Sequence, residues 1–167
     1  MRITYCEAWD VLSQRPRTPV SPQEAERRYR FGEPFTVLIG TPHSSVIIEI
    51  DWEEGRAGST FIGRYGRKEI SYGFHSLGED SLFLGATTSW DYPQNSRSRM
   101  LSDTVRVETC DYHPDGYTKK TVRDSATRGE SVSEHRDVPV DLHWEPVPRF
   151  GDWASLARLH RDLPPAW

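Results

Sequence analysis

Residues 46–52 read VIIEIDW and residues 81–90 read SLFLGATTSW. Side chains on an extended chain alternate faces, so Val46, Ile48, Ile50 and Trp52 fall on one side and Ile47, Glu49 and Asp51 on the other. In the second stretch Leu82, Leu84, Ala86, Thr88 and Trp90 share a face, opposite Phe83, Gly85, Thr87 and Ser89. Between them, residues 69–75 (EISYGFH) set Ile70, Tyr72 and Phe74 against Glu69, Ser71, Gly73 and His75. Phe35, Val37 and Ile39 make a fourth set, and Phe61, Gly63 and Tyr65 a fifth. A period of two over short segments rich in β-branched and aromatic residues predicts half-buried strands. Half-buried strands belong to antiparallel sheets, because strands of parallel sheets read as continuous apolar runs.

The flanks extend this pattern. Residues 2–12 read as a first strand, and Ser13 to Pro19 as a linker in which Pro16 and Pro19 preclude regular structure. Ser21-Pro22-Gln23-Glu24 is a capping box, with Ser21 as N-cap, Pro22 at the first helical position and Glu24 reaching back. It predicts a helix over residues 22–30, ended by Gly32 and Pro34. Thr41 to Ser44 connects two strands. A second β unit starts at Thr104, turns at His113-Pro114-Asp115-Gly116 and returns over Tyr117 to Arg123. Val138, Val140, Leu142 and Trp144 alternate as a last strand. From Asp152, the spacing of Trp153, Leu156, Ala157 and His160 predicts a C-terminal helix stopped by Pro164-Pro165. The expected fold is α+β: a mostly antiparallel, curved or barrel-like sheet of roughly 6–9 strands with a short early helix and a C-terminal helix. It is expected to form a single domain over residues 1–167, with polar, mobile loops near 91–103 and 124–137.

Composition narrows the function. The chain has 167 residues, enough for one core, and its 11% aromatic content includes six tryptophans. A net charge of −4 lacks the basic footprint of a nucleic-acid binder, so no nucleic-acid partner is expected. The clusters Arg64, Arg67 and Lys68, and Arg97 and Arg99, read as solvated surface charge. The N-terminus lacks the apolar core of a signal peptide and no run is long enough to span a membrane, so the expectation is a cytoplasmic protein without a membrane partner. Cys6 and Cys110 have no metal-ligand spacing and read as buried thiols.

No motif imposes a chemistry. Asp111-x-His113-x-Asp115-Gly116 opens like a calcium loop but has Val122 where the twelfth-position Glu belongs, and turn geometry already explains it. None of the six histidines pairs at metal-ligand spacing; no metal and no cofactor is expected. His75 and His143, on predicted strands beside aromatics, are the catalytic candidates. The acidic run Glu49, Asp51, Glu53 and Glu54 would set up a local negative field able to steer a basic protein surface. Trp90 and Tyr92 close a strand as candidate interface anchors. Two expectations follow. The first is a non-catalytic cytoplasmic protein-binding module, such as an inhibitor or immunity protein, whose partner presents a basic surface. The second is a small enzyme or small-molecule binder, with a lone histidine and acidic and aromatic residues in a pocket inside a curved sheet or barrel.

Overall fold

The computed structural model describes residues 2–10, 13–41 and 44–163. His43 and Pro164-Pro165 lie outside them. Among the described residues, eleven strands and one α-helix follow in the order β1 (Arg2–Asp10), β2 (Arg15–Val20), α1 (Pro22–Phe31), β3 (Phe35–Thr41), β4 (Ser44–Asp51), β5 (Arg56–Ile62), β6 (Lys68–Ser76), β7 (Ser81–Asp91), β8 (Arg106–Tyr112), β9 (Thr118–Asp124), β10 (Gly129–His135) and β11 (Trp144–Pro146). One antiparallel sheet runs in the order β10-β9-β8-β7-β6-β5-β4-β3-β1-β2, and β11 pairs with β7. The sheet is curved but open, and the fold is mostly β, with more strands than the pattern predicts and, among the described residues, no C-terminal helix. Among the described residues no helix is long and apolar enough to cross a membrane.

The alternation at 46–52 holds. Ile48 and Ile50 are buried in the main core, with Val46 and Trp52 packed at its margin. Cross-strand partners share a face, and the register sets Val37 opposite Ile48 and Phe35 opposite Ile50. Phe61, Tyr72, Phe74, Leu82 and Leu84 continue this apolar layer across β5, β6 and β7. Two elements cover it. The first is α1, whose Ser21 Oγ accepts from the Glu24 amide at 3.1 Å and whose C-cap Gly32 takes the left-handed conformation at φ 77°. Only half of the capping box forms, because the Glu24 carboxylate binds Arg27 and Arg28 instead of reaching back.

The second cover is the segment 147–163, where the sequence spacing predicts a helix. Trp153 and Leu156 are buried as that spacing implies, but tertiary bonds claim the backbone a helix would use. The Tyr72 hydroxyl donates to the Leu159 carbonyl at 2.5 Å, and Arg161 Nη2 donates to the Ser155 carbonyl at 2.5 Å. The segment is therefore a turn at 153–157 followed by irregular chain.

Four further expectations need correction. The proline-bearing residues 15–20 form β2, which pairs Pro16 with Trp9 and Pro19 with Cys6. β2 is an edge strand, so a ring without an N–H is tolerated on its open side. The polar stretch 124–137 holds β10, paired to β9 from Gly129–Asp124 to His135–Thr118. The predicted strand over 138–144 is a short 3-10 turn over Asp141–His143 leading into β11, which includes Pro146. Finally, a β-bulge in β7 shifts the register between Gly73–Ala86 and Phe74–Leu84. Beyond it Ser89, not Trp90, faces Ile70 of the core layer, so Trp90 leaves the face of Leu82 and Leu84.

Candidate functional site

Registers place the candidate residues at two ends of the strands. Arg56 of β5 faces Asp51 of β4 and His75 of β6; at the other end of β5, Ile62 faces Lys68. The acidic run therefore sits at one end. Trp90 and Tyr92, just past the Ile70–Ser89 pair, sit at the other.

At the acidic end, Asp51 is already engaged. Its Oδ2 takes Arg56 Nη2 at 3.1 Å and its Oδ1 accepts from the Glu54 amide at 3.2 Å, which folds the β4–β5 turn. Glu49, Glu53 and Glu54 are exposed and have no ion pair among the described residues. Glu49 borders a cavity of about 390 Å³ together with Glu7, Thr36, Asp51, Arg56 and Gly58. Glu7 is neutralised from behind by Arg28, at 2.9 Å, whose hydrogen bond holds the Glu7 carboxyl below its ordinary range. Trp52 does not join this surface; its ring packs edge-on against Tyr29, 6.2 Å away.

At the opposite end, two basic clusters that are far apart in sequence converge. Arg67 Nε donates to the Ser98 carbonyl at 2.7 Å, which ties residues 65–68 to 97–99. The Arg67 guanidinium lies 4.7 Å from the Tyr92 ring centre and 5.2 Å from that of Tyr65; Arg97 lies 5.8 Å from Tyr65, and Lys68 Nζ 5.8 Å from Trp90. In the sequence each cluster stands apart and has the look of solvated charge. Their meeting is a tertiary fact with no local signal.

The two histidines part company. His143 is completely buried, stacked 5.8 Å from Phe83 and tilted 4.5 Å from Tyr112. Burial lowers its pKa against a weaker opposing pull from the Val140 backbone, so the ring is neutral. It completes a second small core of Phe83, Cys110, Tyr112 and Val140. His75 is exposed and lies over Gly85, where a Cβ would come within 2.7 Å of its ring. His75 borders an open groove of about 440 Å³ with Asp111, His113, Tyr117 and Lys119. Asp115 serves the turn beside it, accepting from the Tyr117 amide at 3.0 Å. Among the described residues, no three His, Cys, Asp or Glu side chains are grouped to hold a metal ion. Cys6 and Cys110 are free, buried thiols whose pKa values burial raises.

The chain matches no family model, no curated protein and no solved structure. Its surfaces must be read from their own chemistry.

Proposed function

We propose that this protein is a non-catalytic, cytoplasmic binding module that takes a basic surface of a protein partner against its Glu49–Glu54 end, in the manner of an inhibitor or immunity protein. The observation that carries this reading is the set of exposed carboxylates of Glu49, Glu53 and Glu54, unpaired among the described residues, beside a cavity edged by the Asp51–Arg56 pair. Charges held on rigid strand and turn positions steer association without a folding cost. A further support is the packing of the covered face of the sheet, which side chains from α1 and residues 147–163 fill.

The test starts from a partner captured from the native host. Reversing Glu49, Glu53 and Glu54 to lysine should leave the melting temperature unchanged. It should slow association about tenfold or more at low salt, with the difference shrinking as salt rises. Undiminished, salt-insensitive association would overturn the reading.

One observation favours the second reading, a small enzyme or small-molecule binder. His75 and Asp111 line the same open groove, with Lys119 opposite Asp111 in the register. Under that reading a His75→Gln variant loses turnover or ligand binding, whereas under the first it retains full partner affinity.

A further inference from the structure

Gln14, just before β2, lies at the basic end of the sheet. There the Gln14 amide oxygen would stand 3.5 Å from a Cβ at Gly66, and the Arg99 guanidinium 3.4 Å from it. Between Trp9 and Gln14 on one side and the segment 99–102 on the other lies a cavity of about 250 Å³. Trp9, Ile62, Met100 and Leu101 supply its apolar lining, and Lys68 and Arg99 its charge. We propose that this cavity binds a small organic anion, a carboxylate or sulfonate carried on a compact apolar body.

Two features define that ligand. The first is charge. Arg67, Lys68, Arg97 and Arg99 form no ion pair among the described residues, although acids lie close. The Glu69 carboxylate lies where a Cβ on Gly63 would stand, and Asp103 accepts from the Ser98 hydroxyl at 2.5 Å. Lys68 and Arg99 are the two that line the cavity, and they make its wall the complement of an anion.

The second feature is size. The cavity is smaller than the roughly 300–1,000 Å³ typical of drug-sized ligands, which limits the apolar body to a fused ring or a short alkyl chain. Tyr65, Tyr92 and Trp90 each already have a cation over the ring. The surface thus offers charge rather than the free aromatic platforms that bind single-stranded nucleic acid.

The test is a backbone-amide NMR titration with 2-naphthoate, its neutral analogue 2-naphthamide, and inorganic phosphate. Naphthoate should give saturable shifts at Gln14, Ile62, Lys68 and residues 100–102. It should bind about tenfold or more tightly than naphthamide, as a charge-assisted hydrogen bond predicts. In the Lys68→Gln, Arg99→Gln double variant that advantage should vanish while naphthamide binding persists. Equal affinities for naphthoate and naphthamide in the unmodified protein would overturn the proposal, as would an absence of saturable shifts at these amides. Identical shifts from phosphate alone would overturn the requirement for an apolar body. The unmodified-protein comparison decides the matter even where the double variant does not fold. Both substitutions lie at the opposite end of the strands from Glu49, so the outcome is independent of the protein-partner reading.

Discussion

Arg161 reaches Glu145 across the top of the sheet, with its Nη1 2.5 Å from a carboxylate oxygen. The Arg161 side chain is 2% exposed and that of Glu145 8%, and the guanidinium also lies 5.1 Å from the Tyr72 ring centre and 5.0 Å from that of Phe74. Arg158 binds the same carboxylate oxygen but is 53% exposed. Removing one partner of a buried pair strands the other, so Glu145→Gln or Arg161→Met should each destabilise the protein by about 3–5 kcal/mol in denaturant unfolding. Arg158→Ala should cost about 1 kcal/mol or less, since its contact is largely screened. If Arg161→Met unfolds at the midpoint of the unmodified protein, the pair does not hold the 147–163 segment down.

His143 gives the fold a pH dependence. Burial holds its folded-state pKa below the ordinary 6.5, so the unfolded imidazole takes up a proton at a pH where the folded one does not. The contribution is complete above about pH 6.5 and is lost as the pH falls from there towards the depressed folded value. Melting temperature should therefore decline on acidification below pH 6.5, and His143→Phe, which keeps the stacking on Phe83 and Tyr112, should flatten that decline. An unchanged slope in the variant would show that other groups govern it.

A second acid-sensitive region lies on α1. Hydrogen bonds from Arg27, then Arg28, hold the Glu24 carboxyl at about 2 against an ordinary value of 4.5. Its stabilising effect is present above pH 4.5 and is lost as the pH falls towards about 2. Circular dichroism across that range should show a helical signal that weakens with acid, and Glu24→Gln should remove the trend while lowering stability at neutral pH.

Gly85 is the bulge residue that makes room for His75. Alanine there would place its Cβ 2.7 Å from the His75 ring. The ring is exposed and can swing away, so Gly85→Ala should shift the His75 side-chain NMR signals while lowering stability only modestly. Unchanged His75 signals would mean that the imidazole does not rest on this glycine.

Much of the fold is written locally. The period-two pattern marks β3, β4 and β6 to β9, and Ser21 and Gly32 mark the two ends of α1. The Phe61, Gly63 and Tyr65 set is not a strand face: Tyr65 sits at φ 66° in a 3-10 turn, and β5 instead buries Ala57, Ser59 and Phe61. What escapes local reading depends on partners far along the chain. Pro16 and Pro19 look like strand breakers until β2 is known to be an edge. β10 has Val132 as its one large apolar residue, and that side chain is 51% exposed, so pairing with β9 rather than burial defines it. Trp153 and Leu156 carry a helical spacing, but Tyr72 and Arg161 take the carbonyls at 159 and 155. For the surfaces, the acidic run is legible because it is contiguous. The basic cluster needs Arg67 to meet Ser98 across 31 positions, which no window of sequence shows.

The order of the chain also matters while the protein is being made. The apolar layer of β3 to β7 is complete by Asp91, yet the segment that covers it with Trp153 and Leu156 comes some sixty residues later. At roughly 5–20 residues per second the nascent sheet waits several seconds with Phe74, Leu82 and Leu84 uncovered. That interval makes the growing chain a client for chaperones, and a ribosome that stalls short of Trp153 leaves a product disposed to aggregate.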